Sequence, residues 1–334
     1  MAHRRLGRTG IEVSEIGVGT WELSGDVWGE KDDETSLTAI RAGLDAGANL
    51  IDTAADYGQG HVEELVGRLL AAADLERDQL VISTKVRPEC MEFAPPPERP
   101  IEEFFRPAWI RAECEGSLRR LATDYVDVLF LHTWSRAWGQ ESAWFEEMSR
   151  LKDEGKIRAI GISVPDLGVG DANVAIARGQ VDVVQCVYSV FQQEPEYTLF
   201  PLARAFDVGV MARSPFSSGA LVQQWTPETR FAEGDWRASW PQESNPGWLE
   251  NQVHMAGLVK DVVAGSGMTT PEFCIKYVLS NDVVSAVIPG SANPEHVRAN
   301  VSISSVPPLD DALRQQVKDL WLKREIHGTY AGSD

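Results

Sequence analysis

Residues 126–132, VDVLFLH, are apolar apart from Asp127 and end on an ionisable side chain. Two upstream stretches share that design, LIDTAADYG at 50–58 and LVISTK at 80–85. Short runs without polar alternation suit parallel strands that are covered on both faces. Asp52, Tyr57, Lys85 and His132 each fall at or just past the end of such a run. In a parallel barrel the C-terminal strand ends share one mouth, so these four side chains are the candidate catalytic group.

Working outward, β-rich runs alternate with helical patterns along the chain. EIGVGT precedes a helix expected over 32–46, NLIDTA one over 61–72, and LVISTKV one over 109–121. VDVLFLH precedes 141–154, AIGIS precedes 169–178 and VVQCVYS precedes 196–206, with GVMARS and AVIPG as the last two strands. Gly47 and Gly155 fall where helices should stop. The pattern predicts an α/β fold, a (β/α)8 TIM barrel forming one domain over 1–334. Long connections at 87–107, with Pro95-Pro96-Pro97, at 133–140 and at 215–248 are expected on the C-terminal face. DDALRQQVKDLWLKRE, in the segment 309–325, reads as a C-terminal helix packed outside the barrel.

A phenol, with an ordinary pKa of about 10, is a poor proton donor at neutral pH unless a nearby cation lowers it. Lys85 is the expected cation, held charged and oriented by Asp52, while His132 positions a carbonyl oxygen. Such a group protonates an oxyanion as it develops, which reduction of a carbonyl by hydride requires. Schiff-base chemistry at Lys85 is the competing reading, and a carboxylate partner disfavours it by keeping the lysine charged.

The chain has 334 residues and a net charge of −19. That acidity argues against a nucleic-acid partner, which needs basic surface. Cys90, Cys114, Cys186 and Cys274 form no CxxC pair, and a reducing cytosol is the simplest setting. MAHRRLGRTG lacks the apolar core of a signal peptide, and no run of about 18 apolar residues occurs. A soluble, cytoplasmic protein without a membrane partner is expected. No metal site is read from the sequence, and the oligomeric state is left open.

Several stretches together resemble the aldo-keto reductase family, from about Arg4 to about Val306. They are RRLGRTGIEVSEIGVGTW, IDTAADYG, ISTK, SLRRLATDYVDVLFLH, EGKIRAIGIS, ARSPFSSGAL and VIPGSANPEHVRAN. The resemblance implies a catalytic tetrad of Asp52, Tyr57, Lys85 and His132, with Tyr57 as general acid. It implies an NADP(H)-dependent reductase of a small aldehyde or ketone. Channel-associated β subunits resemble the same family, so a cofactor-binding regulatory subunit is the alternative.

No GxGxxG follows the first strand, so a Rossmann-type site is not supported. SPFSSGAL after the seventh strand and GSANPEH after the eighth instead suit the phosphate site of a barrel. The resemblance places cofactor contacts on Thr20, Trp21, Asp52, Ser214, Phe216, Ser218, Gly290, Ser291, His296 and Asn300. It gives Ser163 and Gln185 the nicotinamide carboxamide, and Arg213 a stacking role. Val164 and His296 depart from the family pattern, and they leave NAD(H) open beside NADP(H).

Trp21, Trp28, Trp134, Trp138, Trp225, Trp236 and Trp240 fall on the expected mouth loops and suggest an aromatic vestibule. Trp21 and Trp134 are the first candidates for substrate contact, beside Tyr57 and His132. Arg136 and Asp26 are candidate polar contacts.

Overall fold

The computed structural model describes residues 1–25, 27–29, 31–72, 75–238 and 247–327. Strands β1 (His3–Arg5) and β2 (Glu12–Ser14) form an antiparallel hairpin ahead of the barrel. The barrel strands are β3 (Val18–Gly19), β4 (Leu50–Asp52), β5 (Val81–Val86), β6 (Val126–Leu131), β7 (Ile157–Ser163), β8 (Val183–Val187), β9 (Gly209–Arg213) and β10 (Val284–Ile288). They lie in sequence order, all parallel, and single parallel bridges of Ile16 with Val287 and Gly19 with Gly290 join the first to the last.

The helices are α1 (Asp33–Asp45), α2 (His61–Leu70), α3 (Pro107–Arg120), α4 (Ala143–Asp153), α5 (Asn173–Ala177), α6 (Pro195–Thr198), α7 (Phe200–Ala205), α8 (Trp248–Ala264), α9 (Thr270–Leu279), α10 (Pro294–Ser302) and α11 (Asp311–Leu322). Their ends have local causes. Asp32 caps α1 by accepting from the Thr35 amide, and Thr269 with Glu272 forms a capping box on α9. Gly47 and Gly155 take left-handed φ values of 99° and 75° just beyond α1 and α4.

Two boundaries differ from the sequence expectation. The helix expected over 196–206 is split into α6 and α7, because Pro201 has no N–H to continue the first segment. Residues 169–178 begin with a short 310 turn, and only Asn173–Ala177 is α-helical. The sequence reading assigned no helix between the seventh and eighth strands, where α8 and α9 lie.

Period-two alternation sorts the barrel strands. Leu50, Val81, Val128, Phe130, Ala159, Val183, Met211 and Ala286 form one interior cluster with Leu6, Ile11 and Val13 of the hairpin segment. Gly161 makes room in that interior, since a Cβ there would lie 2.4 Å from the Phe130 ring. Leu6, Ile11 and Val13 plug the amino-terminal end, where Gly7 approaches the Gly209 backbone too closely for any side chain. The same alternation then dictates what comes next. Two residues beyond Leu50 is Asp52, beyond Ser83 is Lys85, beyond Phe130 is His132, beyond Gly161 is Ser163, beyond Val183 is Gln185, and beyond Met211 is Arg213. An apolar interior thus closes with a polar layer at the carboxyl ends of its strands.

The expected C-terminal helix corresponds to α11, on the barrel exterior. Glu196, at α6, accepts from Arg314 Nη2 at 3.3 Å and Lys318 Nζ at 2.7 Å and so ties α11 down. None of the helices among the described residues is long and apolar enough to cross a membrane.

Candidate active site

Lys85 is fully buried, and its ammonium donates to Asp52 Oδ2 at 2.8 Å, the Thr53 carbonyl at 2.8 Å and Tyr57 Oη at 3.3 Å. All three of its donors are used. Asp52 in turn accepts from Ser83 Oγ at 2.7 Å and Gln185 Nε2 at 2.9 Å. Burial acts to lower the Lys85 pKa, but the charge of Asp52 and the hydrogen bonds to Asp52 and Tyr57 oppose it, and the lysine is held above its ordinary value. A lysine so held in the charged form is a poor nucleophile, which argues against Schiff-base chemistry.

Lys85 acts to lower the phenol as expected, but it does not prevail. Burial pushes Tyr57 up to about 12, and Asp52 and Asp56 add to that push while Lys85 opposes it. Lys85 matters here through geometry. Because the phenol oxygen accepts from Nζ, the phenol's own proton is left to be donated elsewhere.

His132 Nδ1 lies 2.6 Å from Asp56 Oδ1. Burial raises the Asp56 carboxyl, but the charge and hydrogen bond of His132 and the charge of Lys85 prevail and hold it below the usual carboxylate range. An ionised carboxylate can only accept, so Nδ1 carries the hydrogen and Nε2 is the ring nitrogen left for a ligand. Asp56 was not singled out from the sequence, although it immediately precedes Tyr57 and is a carboxylate in the same turn.

A cavity of about 1380 Å3 opens over this group, larger than the ~300–1,000 Å3 of ordinary small-molecule pockets. Asp52, Tyr57 and His132 line it, with Lys85 just behind them. Thr20, Trp21, Ser163, Gln185 and Arg213 line it at the strand ends. Ser214, Phe216 and Ser218 follow β9, and Gly290, Ser291, His296 and Asn300 follow β10. One cavity therefore collects every expected cofactor position.

The loop after β9 is strained: Ser214, Ser217 and Ser218 have left-handed φ values of 57°, 48° and 55°. Its continuation crosses to the loop after β3, where Trp28 bridges Asp235 and the Trp236 amide donates to the Val27 carbonyl at 3.0 Å. Arg213 is bound by the Asp166 carboxylate and donates to the Val164 carbonyl at 3.2 Å. Gln185, expected to meet a carboxamide, spends its amide N–H on Asp52.

The structure brings some of the expected vestibule tryptophans to the cavity and buries others away from it. Trp21 and Trp28 line the cavity, their rings 5.1 Å apart and nearly perpendicular. Trp134 is completely buried instead, packed on Trp138 and Trp144 with its indole N–H donating to the Asp171 carbonyl at 3.1 Å. It cannot touch a substrate. The 133–140 loop folds back onto α4, α5 and the Phe104–Phe105 segment because two tryptophans and Phe104 bury more apolar area there than at an open mouth. Trp225 packs on Phe231 and Trp248, and Arg136 pairs with Asp171 away from the cavity lining. Asp26 and Trp240 lie outside the described residues. Phe93, Asp166, Leu167 and Glu272 line the cavity without having been foreseen.

The model of the aldo/keto reductase family matches residues 15–321. The chain belongs to the aldo/keto reductase family. Among relatives, the aldo-keto reductase YhdN of Bacillus subtilis is 32% identical, covering 90% of this chain and 87% of its own length. The NADH-specific methylglyoxal reductase of Escherichia coli is 30% identical over 96% of this chain and 97% of its own. Among solved structures, the glycerol dehydrogenase AKR11B4 from Gluconobacter oxydans superposes with a TM-score of 0.77 at 27% identity, covering 100% of this chain and 99% of that one.

Proposed function

We propose that this aldo-keto reductase is an NADP(H)-dependent enzyme that reduces aldehydes or ketones to alcohols, with Tyr57 as the general acid. The observation that carries the reading is the Lys85 Nζ to Tyr57 Oη hydrogen bond. It fixes the phenol as an acceptor from one side and a donor toward the cavity. When bound, the reduced nicotinamide supplies the hydride to the carbonyl carbon. Tyr57 meets the oxygen with its proton, which it retains at all pH values well below about 12. Lys85 offers a compact positive charge behind the phenolate that results, and Asp52 keeps that charge in place. His132, oriented by Asp56, holds the same oxygen from a second direction in its imidazolium form, in which Nε2 also donates.

The residues present fit a dinucleotide. Small side chains and strained backbone follow β9, and the N-terminus of α10 faces the same cavity. A specific observation favours NAD(H) as the second reading. On the side formed by α9, α10 and the turn before α10 the charged and titratable lining groups are Glu272, His296 and Glu22, which accepts from the Ala292 amide at 3.3 Å, and no Lys or Arg lines that side among the described residues. A 2′-phosphate there would meet two carboxylates and one imidazole, whereas a 2′-hydroxyl could donate to Glu272.

The test is nicotinamide absorbance with NADPH or NADH and a panel of aldehydes and ketones. Cofactor consumption matched by alcohol formation supports the reading, and the faster cofactor decides between the two. Tight cofactor binding without consumption across the panel would instead support a regulatory, cofactor-binding role of the channel-subunit kind.

A further inference from the structure

We propose that the substrate is a neutral carbonyl compound with a bulky aromatic body, and that the cavity mouth discriminates against carbonyl compounds carrying an anionic group. The inference rests on reading the cavity as a carbonyl-reducing site, and it is carried by the mouth rather than by the tetrad.

Eight large apolar side chains are well exposed among the described residues, and Trp21, Phe93 and Leu167 stand together at this mouth with exposures of 38%, 36% and 58%. They come from the loops after β3, β5 and β7, so three separate segments deliver apolar surface to one place. Apolar surface gathered at a cavity and left to water marks a place where a ligand covers it. The surface is also held in position. Trp21 is braced by Trp28 and by Trp236, whose ring centroid lies 5.8 Å away. Phe93 meets the His132 ring edge-on at 5.2 Å, and its carbonyl accepts from Thr133 Oγ1 at 2.7 Å. The apolar wall therefore begins beside the imidazole that faces the reacting oxygen. An aryl group attached to the carbonyl carbon can lie on it, whereas a polyol would turn hydroxyls toward groups that cannot bond them.

Charge decides the second half. The lining carboxylates beside Phe93, His132 and Leu167 are Glu92, Asp56 and Asp166, and Glu22, Asp52 and Glu272 line the same cavity elsewhere. Each of the first three already has a side-chain partner: Asp56 the His132 ring, Glu92 the Arg99 guanidinium at 2.5 Å, and Asp166 that of Arg213. Lys85 is likewise committed to Asp52 and Tyr57. A carboxylate or phosphate on the substrate would have to displace one of these partners or enter unpaired beside like charge, which is unfavourable in a partly dry cavity.

The experiment compares methyl 4-formylbenzoate with 4-formylbenzoate, an ester and a carboxylate of nearly the same shape, with methylglyoxal as a small reference. We expect kcat/KM for the ester at least about tenfold above that for the carboxylate, mainly through KM. Leu167→Ala should raise KM for the ester several-fold and leave methylglyoxal unchanged, and Glu92→Gln should narrow the gap between ester and carboxylate. Equal or better turnover of the carboxylate, or an ester KM insensitive to Leu167→Ala, overturns the proposal while carbonyl reduction stands. Turnover of no aldehyde overturns both.

Discussion

At the scale of single residues, the site works by assigning each hydrogen-bonding atom one partner. Lys85 spends its donors on Asp52, Thr53 and Tyr57, and this leaves the phenol only one way to use its proton. The sequence located all of these side chains, because residue types at strand ends are legible without coordinates. It did not locate the balance among them. That burial outweighs the lysine at Tyr57 depends on how completely the ring is enclosed, which no local pattern records. Asp56 was missed for a related reason: a carboxylate in a turn after a strand reads equally well as a cap. Its place opposite His132 Nδ1, 76 residues away in the chain, exists only in the fold. Asp56→Asn should lower kcat by about tenfold to a hundredfold, the usual worth of a charge-assisted hydrogen bond, and leave the cofactor Kd unchanged. Unchanged kcat in that variant would show that His132 needs no such orientation.

At the scale of elements, strand alternation converts an apolar core into a polar mouth. A shift of one residue in any strand would turn its functional side chain outward, so the interior packing and the site share one register. Ser163 pairs with Gln185, and Asp52 with Ser83, because the layers beneath them are matched. Gly161 illustrates how tight that matching is. Gly161→Ala should destabilise the protein by about 1–3 kcal/mol through overpacking against Phe130, and Phe130→Leu should recover part of the loss in the double variant. Equal stability of wild type and Gly161→Ala in urea unfolding would contradict the packing described. The strands were legible from their apolar runs, whereas the 133–140 loop was misread. Tryptophans near a strand end suit a vestibule or a buried stack equally well, and the stack of Trp134, Trp138 and Trp144 was decided by helices brought alongside by the barrel.

For the whole molecule, the division of labour runs along the barrel axis. The hairpin segment seals the amino-terminal end with Leu6, Ile11 and Val13, and the long loops build a cavity at the other end. A net charge of −19 coexists with that cavity because an acidic total constrains only the average surface. The central claim is that this arrangement makes Tyr57 the proton donor of a hydride transfer. The most direct test replaces it with phenylalanine, which keeps the buried ring and removes only the hydroxyl. Cofactor affinity is read from tryptophan fluorescence, and turnover with the best aldehyde from nicotinamide absorbance. The account predicts an unchanged cofactor Kd and a loss of kcat of at least about a hundredfold. Tyr57→Phe with wild-type kcat would contradict it.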